Sequence, residues 1–202
     1  MGQTTKTKQL LVFAHRGEAQ VFLNRGRFRK SGAGFKRVYE NERSFLLITG
    51  EGVHSAGERL GDFCDAFHSQ IDQVMNFGIA GGLSTPCQNG RIFSIRKVYR
   101  EAKKRREYPA LHSADKSAIV DCITATKRVL TPEYGRRLSA AAPIVDRELW
   151  GYASVCQTFG LPFFSYKLIS DCIGKQVVLA DISSRAGEFS RQLFECYIGL
   201  AN

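Results

Sequence analysis

The sequence predicts an α/β domain built as a three-layer sandwich, with a central mixed, mostly parallel sheet between layers of helices. Short apolar segments of strand character alternate with segments whose apolar residues recur at helical spacing. The chain has 202 residues, 44% of them hydrophobic, which is enough for one well-buried domain and short for two. We therefore assign residues 1–202 to a single domain and expect residues 1–8, which are polar, to be flexible.

The expected elements follow from these patterns and from the breakers between them. The predicted strands are residues 10–14, 44–49, 73–77, 91–99, 118–126 and 163–170. Helices are predicted to begin at Glu18, His54, Thr131, Asp146, and either Asp181 or Ser183. Apolar residues expected to face the core are Leu60, Phe63, Cys64 and Phe67 in the second helix and Phe189, Leu193 and Phe194 in the last. Residues 31–34 are predicted to form a hairpin or surface loop, and residues 78–82 a glycine-rich turn.

Composition restricts the compartment and the cofactors. The six cysteines are dispersed without a C-x-x-C pair, which favours free thiols that pack as small hydrophobes in a reducing environment. The four histidines are isolated from the cysteines and from one another, so no zinc spacing arises. No apolar run reaches membrane-spanning length and no signal-peptide core follows Met1. We expect a cytoplasmic protein that needs no metal or other cofactor and makes no membrane contact.

The net charge of +10 is concentrated in residues 25–30, extended by Lys36 and Arg37, and in residues 96–106. One interpretation is two solvated segments on an enzyme of small molecules, and we favour it. The other is a surface that steers phosphorylated or polyanionic ligands toward a site. Nucleic acid is not the expected partner, although this charge leaves it open.

The stretch from Ile144 to Ile173 carries the candidate chemistry. Pro143 interrupts the preceding segment, Asp146 can cap a helix, and the apolar spacing predicts that this helix continues to Phe159. The strand that follows ends at Ser170, directly before Asp171. Because ligands bind at the carboxyl ends of strands in α/β sheets, Glu148 and Asp171 are expected beside one pocket.

Two ordered sets of motifs carry a resemblance to a known family. The first is Val145-Asp146-Arg147-Glu148, then Gly160-Leu161-Pro162, then Ile169-Ser170-Asp171; the second is Asn76-Phe77-Gly78-Ile79-Ala80-Gly81-Gly82-Leu83, then Gly90-Arg91-Ile92-Phe93. In this order they resemble the nucleoside phosphorylase and nucleosidase superfamily, and within it members of the methylthioadenosine/S-adenosylhomocysteine nucleosidase and futalosine hydrolase type. The resemblance extends from about Leu10 to the C-terminus.

The resemblance implies hydrolysis of the N-glycosidic bond of a nucleoside, of purine type, by a homo-oligomer that is most often a dimer. It implies that Asp171 protonates the leaving base, that Glu148 accepts hydrogen bonds from the ribose hydroxyls and that Glu18 orients the attacking water. The implied substrate contacts are Arg147, Ser170, Gly78, Ala80, Gly81 and Arg128. Simpler interpretations also stand at this point: Asp171 as a helix cap, Glu148 as a surface carboxylate and Glu18 as an ordinary first-turn glutamate.

The chain departs from the family pattern at several of these positions. Arg128 stands where relatives often carry an aromatic residue that stacks on the base. In this chain the base would instead be held by the face of the Arg128 guanidinium or by the backbone alone. Asn76 and Ile79 stand where phosphorylases commonly carry Arg and a hydroxyl residue, which favours hydrolysis. A phosphorylase that binds the anion through His15 or Arg16 is one alternative. A nucleoside- or nucleic-acid-binding protein that has lost catalysis is another.

Arg147 stands where relatives usually have an apolar residue. Either it pairs with Glu148 or Asp146, or it reaches the pocket and meets an anionic group of the substrate. Together with Arg128 and the overall charge, it favours an acidic or phosphorylated nucleoside.

Overall fold

The structure, a computed structural model, describes residues 7–32, 34–84, 87–102, 108–172 and 183–200. The strands are β1 Lys8–Phe13, β2 Arg29–Lys30, β3 Val38–Glu40, β4 Ser44–Ile48, β5 Ile71–Gly82, β6 Ile92–Arg100, β7 Ala110–His112, β8 Val120–Thr124, β9 Ile144–Asp146 and β10 Phe163–Cys172. The helices are α1 Arg16–Arg25, α2 Val53–Phe67, α3 Pro132–Ser139, α4 Leu149–Phe159 and α5 Ala186–Leu200. Lys8 is the first residue of β1 and pairs with Ile71 of β5. The prediction that residues 1–8 are flexible is therefore wrong at Lys8.

The sheet is organised around the long strand β5. Its first half pairs with β1, and β1 with β4, all parallel, before the antiparallel edge β4-β3-β2. Its second half pairs with β10 in parallel and with β9 in antiparallel. Because β10, β6, β8 and β9 are also paired in that order, these four strands close a ring with β5.

This ring corrects the predicted architecture. Among the described strands, five pairings are parallel and five antiparallel, so the sheet is mixed but not mostly parallel. A barrel-like closure brings the ends of β5, β9 and β10 into one place. Strand periodicity does not encode such closure, because it depends on which strands pair rather than on which segments are strands.

Helices cover both faces of the open part of the sheet. Leu10 and Val12 of β1 join one buried cluster with α2 and α4, whereas Leu11 and Phe13 join a second cluster with α1 and α5. This alternation is the period-two pattern of a strand buried on both sides. At the α2–α4 contact, a Cβ on Gly151 would lie 2.5 Å from the carbonyl oxygen of Val53, so only glycine permits this approach.

The predicted turn at residues 78–82 is wrong, because β5 continues through Gly82. The glycines serve close approach instead of chain reversal. A Cβ on Gly82 would lie 2.6 Å from the carbonyl oxygen of Cys87, and one on Gly81 would lie 3.1 Å from Cγ1 of Val145. Glycine thus lets neighbouring backbone pack directly against the strand.

Most other predicted elements are confirmed within a few residues. Residues 31–34 belong to the connection between the antiparallel strands β2 and β3, as the predicted hairpin requires, although residue 33 lies outside the described residues. Thr131 caps α3, its hydroxyl accepting from the N–H of Tyr134. The core faces of α2 and α5 are as predicted. Of the two proposed starts of the last helix, Asp181 lies outside the described residues, and the regular helix begins at Ala186, after Ser183.

All six cysteines are free, and Cys64, Cys87, Cys122 and Cys156 are buried, as the dispersed thiols predicted. Within the described ranges, every helix is too short or too polar to cross a membrane.

Candidate active site

A cavity of about 310 Å³ opens where β1, β5, β9 and β10 end, next to the start of α1. Five carboxylates line it, namely Glu18, Glu51, Asp146, Glu148 and Asp171, together with three cations, Lys127, Arg128 and Arg147. The predicted pair of Glu148 and Asp171 is therefore beside one pocket, and Glu18 is there as well. Among the described residues, no three His, Cys, Asp or Glu side chains are grouped so that they could hold a metal ion.

Glu18 is fixed by two backbone N–H groups. Its Oε2 accepts from the N–H of His15 at 2.9 Å, which completes a capping box with the His15 side chain, and its Oε1 accepts from the N–H of Ile79 at 3.0 Å. Burial raises the pKa of Glu18, while the hydrogen bond from Ile79 and the charge of Lys167 oppose this shift. The first-turn interpretation of Glu18 and its place in the cavity are thus both correct.

Gly78 provides the space that Glu18 occupies. A Cβ on Gly78 would lie 3.2 Å from Glu18 Oε1 and 3.4 Å from Nζ of Lys167. Gly78 itself does not line the cavity, and its predicted substrate contact stays a prediction. Its role here is to let the carboxylate lie against the strand.

Glu148 follows β9 and is only 8% exposed, so the surface-carboxylate interpretation is wrong. Its Oε1 accepts from the N–H of Gly52 at 2.6 Å, which ties it to the loop after β4. Burial, and then the neighbouring charge of Asp146, raise the pKa of Glu148 to about 7, against the opposing charge of Lys167. Near neutral pH this group can therefore be charged or protonated.

Asp146 and Lys167 form a buried charged pair beneath the cavity. Nζ of Lys167 lies 2.9 Å from Oδ2 of Asp146, and that oxygen also accepts from the N–H of Leu149 at 2.8 Å. Oδ1 accepts from the hydroxyl of Thr124. Asp146 ends β9, and the N-cap residue of α4 is Glu148, so the prediction that Asp146 opens the helix is wrong. The carboxylate of Asp146 still accepts from the N–H of Leu149, the first residue of α4.

Asp171 lies beside the last glycines of β5. It pairs in register with Gly81, whereas Ile169 pairs with Ala80, so Ser170 is an extra residue that forms a bulge. The Ser170 hydroxyl lies 2.7 Å from Oδ1 of Asp171 and 3.3 Å from the carbonyl oxygen of Ala80. Burial raises the pKa of Asp171, opposed by Ser170 and the charge of Arg128. Asp171 belongs to β10 and does not open a described helix.

At the rim of the cavity, two arginines form ion pairs with the same carboxylate. Nη2 of Arg128 lies 3.0 Å and Nη1 of Arg147 lies 3.3 Å from Oε2 of Glu51. Arg147 therefore pairs neither with Glu148 nor with Asp146, because the loop after β4 presents a closer partner. Nε of Arg147 is buried and has no hydrogen-bond partner among the described residues.

Several solved nucleosidases share this architecture. An MTA/SAH nucleosidase aligns over 97% of this chain and 95% of its own, with a TM-score of 0.81 and 15% identity. A futalosine hydrolase mutant of Helicobacter pylori aligns over 92% and 94%, with a TM-score of 0.79 and 14% identity. An MTA/SAH nucleosidase of Colwellia psychrerythraea, solved in complex with adenine, aligns over 94% and 93%, with a TM-score of 0.77 and 17% identity. The chain has the fold of these nucleosidases.

No family model and no curated protein matches the sequence. At 14–17% identity the structural similarity establishes the fold, as the motifs predicted, and the chemistry must be argued from the side chains.

Within the nucleosidase fold, all predicted site residues except Gly78 line the cavity. Asn76 does not: it is buried in the sheet, donates to the carbonyl oxygen of Val12 and accepts from the hydroxyl of Ser165. Lys167 was missed, although a lysine in the middle of an apolar strand is an available signal of a buried charge. Glu51 was missed as a site residue because its role depends on contacts with distant segments.

Proposed function

We propose that this protein hydrolyses the N-glycosidic bond of a nucleoside. The observation that carries the proposal is that three carboxylates from separate segments line one cavity: Glu18 and Glu148, which are buried, and Asp171, which is partly buried. Cleavage of this bond needs a proton for the leaving base, stabilisation of an oxocarbenium-like sugar and a nucleophile on the opposite face. Each carboxylate is suited to one of these tasks.

Asp171 is proposed as the acid. Burial favours the protonated form, and Ser170 holds Oδ1, which leaves Oδ2 to give its proton to a nitrogen of the base. As the C–N bond breaks, its electron pair goes to the base, and the proton from Asp171 neutralises the developing charge.

Glu148 is proposed to bind the ribose hydroxyls. The N–H of Gly52 fixes Oε1, so that Oε2 can accept from a sugar hydroxyl. A charged carboxylate at this position also stabilises the positive charge that develops on the sugar.

Glu18 is proposed to orient the attacking water. Both oxygens are held by backbone N–H groups, yet each retains an acceptor site for a water hydrogen. The water oxygen forms the new bond to C1′, and a water proton passes to Glu18. Lys167 below the carboxylate favours its charged form, which a base requires.

The charge of the cavity supports water over phosphate as the nucleophile. With Asp171 protonated, four carboxylates in the lining remain beside three cations, and two of those cations, Arg128 and Arg147, are paired with Glu51. A phosphate ion beside Glu18 and Glu148 would be repelled, because like charges at short range are unfavourable. A purine-type base is supported by the neighbour solved with adenine. The guanidinium of Arg128 would cover its face.

The test is base release from a panel of purine and pyrimidine nucleosides, some of them carrying a phosphate or a carboxylate at C5′, with and without inorganic phosphate. We expect the wild type to release base and the free sugar from at least one member in both conditions, and Asp171→Asn to lose about 10²–10⁴ in kcat. Asp62→Asn, on the exposed face of α2, is the matched control and should keep full activity. A wild type that releases no base, or an Asp171→Asn enzyme that equals it, contradicts the proposal.

A further inference from the structure

A second cavity of about 330 Å³ adjoins the first. The two share Ala14, His15 and Glu51, whereas Arg16, Arg37 and Tyr39 line only the second. Neither Asp171 nor Glu148 lines it. The second cavity therefore extends the site away from the proposed acid and the proposed ribose-binding carboxylate.

The charge of the second cavity is opposite to that of the first. Its two guanidiniums, on Arg16 and Arg37, face one carboxylate, Glu51, which is already paired with Arg128 and Arg147. Nη1 of Arg16 donates to the hydroxyl of Tyr39 at 2.8 Å, so the hydroxyl hydrogen of Tyr39 remains available for another acceptor. In the part of the chain that the structure describes, neither Arg16 nor Arg37 forms an ion pair with a carboxylate, and unpaired guanidiniums beside a hydroxyl are the chemistry that binds an oxyanion.

Arg37 occupies a backbone conformation that favours glycine. Its φ is +64°, and the register Val38↔Leu47 together with the hydrogen bond from the N–H of Ile48 to its carbonyl oxygen holds it there. Its Nη1 lies 4.0 Å from the position that a Cβ on Gly50 would take, so the guanidinium reaches the loop between the two cavities. Because an arginine in this backbone conformation is unfavourable, its presence at the cavity wall indicates that its side chain has a functional role there.

We propose that the second cavity binds an anionic group carried on the sugar, so that the substrate is a nucleoside with a phosphate or carboxylate at C5′. This rests on the proposed function: with the base at Asp171, the ribose hydroxyls at Glu148 and the water at Glu18, C5′ is the remaining position that points out of the first cavity. Its substituent then passes Glu51 and meets Arg16, Arg37 and Tyr39.

A free phosphate nucleophile fits this cavity less well. It would have to reach C1′ beside Glu18, but Arg16 and Arg37 line only the second cavity. The cations are therefore placed for a group that is tethered at a distance from the scissile bond.

The test measures binding by calorimetry, so it does not depend on turnover or on the identity of the base. Ribose, ribose 5-phosphate, ribose with a 5-carboxylate and inorganic phosphate are titrated into the wild type, Arg37→Gly and Arg27→Gly. Arg27 is the matched control: it also has positive φ, at +53°, it is exposed, and it lines neither cavity. Both variants lose one positive charge and relieve one strained backbone position.

We expect one of the 5-anionic sugars to bind the wild type at least tenfold more tightly than ribose, and Arg37→Gly to reduce that ratio about tenfold. Arg27→Gly should leave the ratio unchanged, and neither variant should lower the melting temperature. Equal effects of the two variants would show general surface electrostatics and overturn the proposal. So would inorganic phosphate that binds as tightly as ribose 5-phosphate, because the site would then be one for a free anion. If the nucleoside panel shows no base release, the proposed hydrolysis is contradicted. The binding ratios would still test the anion site, because they do not depend on turnover.

Discussion

Lys167 and Asp146 form an ion pair inside the sheet, with 2.9 Å between Nζ and Oδ2 and with side chains that are 2% and 1% exposed. The pair lies beneath the cavity, and the charge of Lys167 acts on Glu18 and Glu148 alike. It therefore connects the stability of the sheet to the ionisation of two carboxylates proposed to act in catalysis.

Replacing Lys167 should lower the stability of the folded protein. Lys167→Met leaves the carboxylate of Asp146 buried without its counter-charge, so we expect a loss of roughly 3–5 kcal/mol in the free energy of unfolding, measured with urea. Lys8→Met is the matched control, because Lys8 pairs with Glu40 at 3.3 Å in a partly exposed position and should cost less than about 1 kcal/mol. The double variant Lys167→Met/Asp146→Asn should recover part of the loss. Similar losses in the two single variants would show that burial does not decide the strength of this pair.

A methyl group on Gly78 should disturb Glu18 more than the fold. The added Cβ would crowd Glu18 Oε1 at 3.2 Å, and both oxygens of that carboxylate are held by backbone N–H groups. We expect Gly78→Ala to lose about 1–3 kcal/mol in stability and most of its base-release activity. Gly61→Ala, inside α2 with no atom within 4 Å of the added group, should gain up to about 1 kcal/mol and keep its activity. Full activity in Gly78→Ala would contradict the requirement for a fixed Glu18.

The sequence allowed the prediction of Glu148 and Asp171 beside one pocket because each lies next to an element boundary that local residues mark, whereas Glu18 was predicted from the resemblance to the nucleosidase family. Gly160 and Pro162, for example, fix where β10 begins, and so where Asp171 falls. The ring of strands could not be predicted, since the β5–β9 pairing joins segments more than sixty residues apart through backbone hydrogen bonds. For the same reason the two ion pairs that Glu51 forms with Arg128 and Arg147 could not be predicted from the sequence, because the three residues come from different loops.

Glu148 should make stability depend on pH. The folded protein keeps this proton up to about pH 7, whereas the ordinary carboxyl releases it near 4.5, so the folded state binds more protons between these values. This contribution to stability is complete below about pH 4.5 and is lost as the pH rises through 7. Glu148→Gln removes it, so we expect the variant to be more stable than the wild type at pH 8, on the order of 1–3 kcal/mol, and equal to it near pH 4. Thermal unfolding of both proteins across this range is the measurement. A difference that is constant with pH would show that Glu148 ionises normally in the folded protein.

Arg147 lines the cavity and carries a buried N–H group. Its Nη1 is paired with Glu51, but its Nε has no partner among the described residues, and a buried donor without an acceptor costs about 1–3 kcal/mol. A bound nucleoside that accepts from this N–H would recover that cost, which gives Arg147 a use beyond its charge.

Lysine separates the two roles, because it keeps the charge but lacks Nε–H in this position. We expect Arg147→Lys and Arg147→Met both to weaken the binding of a neutral nucleoside by about tenfold, equivalent to about 1.4 kcal/mol. Asp171→Asn in the same background slows turnover enough for calorimetry to measure affinity, with Asp171→Asn alone as the reference. Arg136→Lys serves as the control, because Arg136 is exposed on α3, pairs with Glu133 and does not line the cavity, and it should leave this affinity unchanged. If Arg147→Lys retains the reference affinity, the positive charge alone matters and Nε makes no contact with the nucleoside.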